Sequence, residues 1–164
     1  MDAAHDATKH QNNPLWMYSL KQYANPPCAE FLLKAQRHYQ LDINILLFIG
    51  WLATQHRVFD TAPLKATTID QWQSNVIKPI RALRIRVKKL GDIQFYQHMK
   101  KLELTAESQE QLQLYKLTPN MKGQQKVFEK CIQQGCVNYF ENLKQELNKQ
   151  WLQTLIKHLQ PEND

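Results

Sequence analysis

"LDINILLFIGWLATQH", residues 41–56, is the most apolar run in the chain, and its reading decides the fold. Ile43 to Ala53 is eleven residues interrupted by Asn44, whereas a membrane helix needs roughly 20 apolar residues. The run is therefore too short to span a bilayer. A helix that is apolar on every side is normally one enclosed by other helices. Asp42 can cap it, which leaves Asn44 in the first turn, where backbone donors are free and water can reach. Gly50 beside Trp51 would let a neighbouring helix approach closely. A core helix is the expectation; a pocket lined by Trp16, Asn44 and Trp51 is the alternative that the same residues can serve.

Outward from that helix, the rest of the chain reads as its coat. A length of 164 residues suits one domain with one substantial core. With 43% hydrophobic and 22% charged residues, the composition is that of a globular protein rather than a disordered one. Four glycines and seven prolines leave little turn material for an all-β protein. The expected class is all-α, a single compact bundle of about six helices around a central buried helix near 43–56. The domain should cover 14–160 behind a flexible tail, 1–13.

Local signals place the helices. Asn13-Pro14 and Asn25-Pro26-Pro27 each combine an N-cap with Pro in the first turn, opening helices that run to about Ala24 and Tyr39. After the central helix, "FDTAPLKAT" breaks the pattern at Pro63. Thr67-x-x-Asp70 resembles a capping box and opens a fourth helix, in which Pro79 either kinks the helix or starts a new one. Gly91 should end it. A fifth runs from Asp92 to about Leu117. The sixth is expected from about Lys122 to Leu159, bent near Gly135, because Phe128, Ile132, Cys136, Phe140, Leu143, Leu147, Trp151, Leu155 and Leu159 form one continuous stripe. That stripe can be buried within the bundle or against a second copy, so a homodimer stays open.

Charge is distributed unevenly. The net +6 arises almost wholly from residues 61–101, where nine basic residues face two acidic ones. Within it, "KPIRALRIRVKKLG" (78–91) is amphipathic at about 100° per residue. Ile80, Leu83, Val87 and Leu90 make an apolar face directed at the core. Arg81, Arg84 and Lys88 form a basic stripe beside it, with Lys78, Arg86 and Lys89 behind. Glu103, Glu107 and Glu110 form an acidic stripe on the next helix. A fold-back at Gly91 would set Arg81 opposite Lys101 and Lys100, Arg84 opposite His98 and Lys88 opposite Gln94, leaving the basic patch uncancelled. The expected function is non-catalytic binding of an acidic macromolecular partner, foremost a protein, through the 78–89 surface. RNA or ribosome binding by the same patch is the second reading, although no nucleic-acid module is recognisable.

Signals for chemistry are weak. No nucleophile elbow, phosphate loop or HExxH spacing occurs, so no catalytic residue, metal ligand or cofactor is singled out. A small-molecule enzyme of unknown chemistry is the third reading. Cys28, Cys131 and Cys136 form no disulfide framework, and the polar N-terminus has no apolar signal core; both lead to the expectation of a cytoplasmic protein without integral membrane association.

The first half also resembles a family. Trp16, Tyr18, Ser19-Leu20, Tyr23 and Pro26, then Leu33, Gln36, the run Asp42 to Phe48 and Trp51-Leu52, and further on Trp72, Val76, Pro79, Arg81, Leu83 and Arg84 are similar to the pattern of short, uncharacterised bacterial proteins carrying a domain of unknown function. The resemblance covers about 15–90. It implies a bacterial, cytoplasmic helical protein and supplies no activity.

Overall fold

The computed structural model describes residues 13–121, 123 and 127–161. The expected tail, apart from Asn13, and the expected helix start at Lys122 fall outside the described residues.

The chain is all-α. Helices α1 (Pro14–Ala24), α2 (Pro26–Tyr39) and α3 (Ile43–Thr54) follow one another with minimal connections. Asn13 caps α1 by accepting the Trp16 N–H at 2.8 Å, and Asp42 caps α3 by accepting the Asn44 N–H at 2.8 Å. A short 3₁₀ turn, Pro63–Ala66, leads to α4 (Ile69–Trp72), a π turn (Gln73–Ile77) and α5 (Lys78–Leu90), which together make one continuous rod. Then come α6 (Ile93–Lys116), α7 (Phe128–Leu143) and α8 (Lys149–Leu159). Apart from one isolated bridge between Arg57 and Gly123, no β structure occurs among the described residues.

The rod settles the question raised by Pro79. The helix neither breaks nor restarts. The π turn directly before the proline has the Lys78 N–H bonded to the Gln73 carbonyl, five residues back. That wider turn makes room for a ring that an α-turn would drive into the preceding carbonyl. Gly91 ends α5 at φ +80°, a left-handed geometry that glycine adopts without strain. Thr67 does not close a capping box. Its hydroxyl accepts the Ile69 N–H at 3.3 Å, two residues on.

The expected sixth helix is two helices. The break falls at 144–148, not at Gly135, so the described residues form seven rods where about six were expected. Lys144 takes a left-handed φ of 54° and Asn148 caps α8 by accepting the Trp151 N–H at 3.0 Å. The apolar stripe continues across the break, so periodicity alone could not reveal it. Gly135 has a different role: it lies against Ile49 and Phe59, where an added Cβ would come within 3.1–3.2 Å of their side chains.

α3 sits at the centre as expected. Every residue from Ile43 to Gly50 is buried, with Leu52 and Ala53, and α1, α2, α6, α7 and α8 pack around it. Each fully buried Leu, Ile or Phe contributes roughly 1.5–3 kcal/mol of transfer free energy. No helix of the described residues is long and apolar enough to cross a membrane. Gly50 permits the closest approach. A Cβ there would stand 2.3 Å from the Tyr18 hydroxyl, which donates to the Leu159 carbonyl at 2.8 Å. Gly50→Ala should therefore destabilise the fold by about 2 kcal/mol through overpacking and loss of that bond, read as a fall of roughly 4–8 °C in Tm; an unchanged Tm would refute the contact.

Candidate binding surface and the polar cluster beneath it

α5 and the first half of α6 form a helical hairpin that stands largely outside the core. No residue of 70–113 belongs to the central apolar cluster. The apolar face of α5 was expected to be directed at the core, and it is not. Only Val87 of α5 is buried; Leu83 is 40% exposed and Leu90 83%. Across the turn Ile93 is 74% exposed, and Phe95 is also open. A hairpin needs only one line of contact between its helices, so the remainder of a face wide enough for a core stays in solvent.

The basic stripe divides into two groups. The Arg81 Nε donates to Glu103 Oε1 at 2.7 Å and its Nη2 to Glu107 Oε1 at 2.8 Å, while the Arg84 Nε donates to Glu103 Oε2. The uncancelled patch inferred from the fold-back register is thus corrected: two of its three leading residues are neutralised by α6. The reason is side-chain direction. In both helices side chains lean toward their own N-terminus. The arginines of α5 therefore reach away from the hairpin tip, and the glutamates of α6 reach back toward it. Backbone register alone offsets Glu103 from Arg81 by about two residues and from Arg84 by about five, and the lean closes these gaps.

Burial by itself would lower both guanidinium pKa values. The hydrogen bonds and charge of Glu103, joined by Glu107 at Arg81, outweigh it and raise them. Glu103 holds two arginines at once and is buried, so Glu103→Ala should cost on the order of 2–3 kcal/mol in urea unfolding. A change below experimental error would mean the cluster is only solvated.

The second group remains available. Lys78, Arg86, Lys88 and Lys89 are exposed, as are Lys100 and Lys101. None forms an ion pair among the described residues. Lys88 and Lys100 lie 5.8 and 5.9 Å from the centre of the Tyr96 ring, within reach of a cation–π attraction. Lys78, Arg86 and Lys89, expected behind the leading stripe, carry the open charge together with Lys88.

Of the residues of the expected pocket, Trp16 and Asn44 are buried and Trp51 is half-buried. Asn44 is buried and hydrogen-bonded at both ends of its amide: its nitrogen donates to Glu110 Oε2 at 2.6 Å, and its carbonyl accepts from Gln111 Nε2 at 2.8 Å. Gln111 in turn accepts from the Ser19 hydroxyl at 2.8 Å. The water expected near the first turn of α3 is replaced by side chains of α6. On the other side, Gln73 Nε2 donates to Asp42 Oδ2 at 2.5 Å, and the Asp42 N–H donates to the Tyr139 hydroxyl at 3.0 Å. The polar chain thus crosses α1, α6, α3, the π turn and α7. Glu110, its hub, has no exposed surface. Burial, then the negative charge of Asp42 and a hydrogen bond with it, push Glu110 well above the usual carboxylate range; the Asn44 bond opposes this. Burial also raises Glu107 to about 7, against the lowering pull of Arg81.

The site is thus a basic, partly apolar hairpin on an all-α bundle, with Glu103 and Glu110 buried beneath it. The chain is a member of the DUF2390 family of proteins of unknown function, whose profile matches residues 14–114. That match runs past the resemblance at 15–90 to include Glu103, Glu107 and Glu110. No curated protein and no solved structure matches.

The raised carboxyls have a stability consequence. Glu107 and Glu110 hold protons in the folded chain that an unfolded carboxyl releases near pH 4.5. Their stabilising contribution is complete below that pH and is lost as pH rises, through about 7 for Glu107 and higher for Glu110. Glu110→Gln keeps a donor toward Asp42 and an acceptor for Asn44 without the proton. Its stability relative to the parent should improve between pH 5 and 9, by on the order of 2 kcal/mol. A pH-independent difference in urea midpoints would contradict a protonated Glu110.

Proposed function

We propose that the protein is a non-catalytic binding protein that engages an acidic protein partner through the α5–α6 hairpin, in the bacterial cytoplasm. One observation carries this reading: six exposed cations that form no ion pair among the described residues share the hairpin with exposed Leu83, Leu90, Ile93 and Phe95. Apolar side chains of this size left open on a hairpin suit a protein interface, where apolar anchors supply affinity and a charged rim supplies orientation and rate. RNA or ribosome binding uses the same lysines but would leave the apolar tip without a role, so it ranks second. Lys78, Arg86, Lys88 and Lys89 make the main contacts. Arg81 and Arg84 tie α5 to α6 through Glu103 and Glu107.

Reversing Arg81 or Arg84 would break the buried cluster, so loss of binding would be uninformative. Arg86→Glu with Lys88→Glu and Lys89→Glu should leave the melting curve nearly unchanged and reduce capture of protein partners in a tagged pull-down at least tenfold. Undiminished capture would sink the proposal. Copurifying material that absorbs at 260 nm and leaves at high salt would transfer the surface to nucleic acid.

A further inference from the structure

The two faces of the hairpin differ in chemistry. α5 packs chiefly on α6 and on the π turn. Ile80, Arg84 and Val87 of α5, with Tyr96, Met99 and Glu103 of α6, are the buried and half-buried residues that mark the line along which the helices meet. To one side of that line Arg81 holds Glu107, and Lys88 and Lys100 lie over the Tyr96 ring. This side of α5 borders a cleft of about 620 Å³ against the body, lined along the helix by Lys78, Arg81, Ala82 and Ile85. At about 100° per residue, Ile93 falls on the same side, in line with Lys100.

The other side is apolar. Leu83 and Leu90 share one stripe of α5, Phe95 and Leu102 share one of α6, and about 100° per residue turns both stripes away from Arg81 and Lys100. All four side chains are exposed. In the antiparallel register about Gly91, Leu83 stands across the groove from Leu102 and Leu90 from Phe95, the two pairs about 10 Å apart along the helices. Arg86 borders the α5 stripe; His98 borders the α6 stripe, with Lys101 behind it, and all three are exposed. No acidic residue occurs in α5 or in residues 93–102 of α6.

These features select the occupant. A groove between two antiparallel helices takes the ridge of a third, and two apolar pairs two turns apart match the i, i+7 anchors of a helix laid along it. A rim that is basic on both edges and free of acids is complementary to a helix with carboxylates flanking its apolar stripe. It disfavours a second copy, because pairing two identical faces brings like charges together.

We propose that this groove receives one amphipathic helix of an acidic protein partner. Its apolar stripe lies on Leu83, Leu90, Phe95 and Leu102, and its carboxylates point toward Arg86 on one edge and His98 and Lys101 on the other. The proposal rests on the hairpin as the binding surface and adds the element that docks and the face that it uses.

The probe is a fluorescein-labelled peptide of about five helical turns, with Leu at i, i+3, i+7 and i+10 and Glu or Ala elsewhere. Its control has the same composition with Leu spread round the helix. Fluorescence anisotropy with the full chain should show the patterned peptide binding at least fivefold tighter than the control. Leu83→Ser with Leu102→Ser, and separately Leu90→Ser with Phe95→Ser, should each weaken it at least tenfold with the circular dichroism spectrum unchanged; a pair that unfolds leaves the other to decide. Arg86→Glu should weaken it several-fold, whereas Ile93→Ser, on the opposite face, should leave it unaltered. Equal binding of the two peptides, no binding, or losses no larger with the paired serines than with Ile93→Ser would overturn the proposal. Capture by phosphatidylserine vesicles but not by the patterned peptide would give the face to a lipid surface. A dimer by light scattering that Leu83→Ser with Leu102→Ser dissolves would give it to a second copy, and either result would also overturn the proposal. If the Arg86, Lys88 and Lys89 reversal abolishes partner capture while the paired serines leave it intact, the hairpin reading stands and the docked helix falls alone.

Discussion

Enclosure of α3 is the constraint from which the rest of the architecture follows. A twelve-residue helix with apolar side chains on every face cannot lie on a surface. Five helices therefore surround it, and their order along the chain is set by short connections on one side and longer ones on the other. Gly50 and Gly135 mark where the packing is tightest: the first receives Tyr18 and Leu159, the second lies against Ile49 of α3 and Phe59. The hairpin is what remains once the coat is complete. It has no further core to cover, and its apolar residues stay partly in solvent.

The one polar side chain near the start of α3 organises the opposite end of the molecule. Asn44 must be satisfied once buried, because a lone amide in a core costs several times what its hydrogen bonds contribute in water. α6 answers with Glu110 and Gln111, and these draw in Ser19, Gln73 and Asp42. A network of this kind adds less net stability than apolar packing would, but it admits one register of α6 against α3. One helical turn further along α6, Glu107 and Glu103 hold Arg81 and Arg84. The same helix thus fixes both the core and the angle of the basic rod.

Much of the fold was legible in local chemistry. Asn13, Asp42 and Asp92 cap the helices their positions suggest, and Gly91 ends α5 in the left-handed geometry. What misled was a helix end without its usual residue. Lys144 takes a left-handed backbone angle that glycine or asparagine normally fills, so the break between α7 and α8 carried no composition signal except Asn148. The candidate surface was half legible. Amphipathicity located the basic helix, but the pairing of Arg81 and Arg84 depends on how far long side chains lean along their helices. Asp42, Gln73 and Tyr139 come from distant parts of the chain, and no local pattern could have joined them.

The sequence by itself determined that the chain is all-α, which helix is central, where most helices start, and that the positive charge is concentrated on one segment. These follow from periodicity, capping and composition, which act over a few residues. Only the tertiary structure decided which charges are cancelled, what satisfies Asn44, how Pro79 is accommodated and where a cleft opens. Those depend on side-chain reach and on the hydrogen-bond demands of groups that meet only after packing. Such demands are set by the neighbours a residue acquires in space.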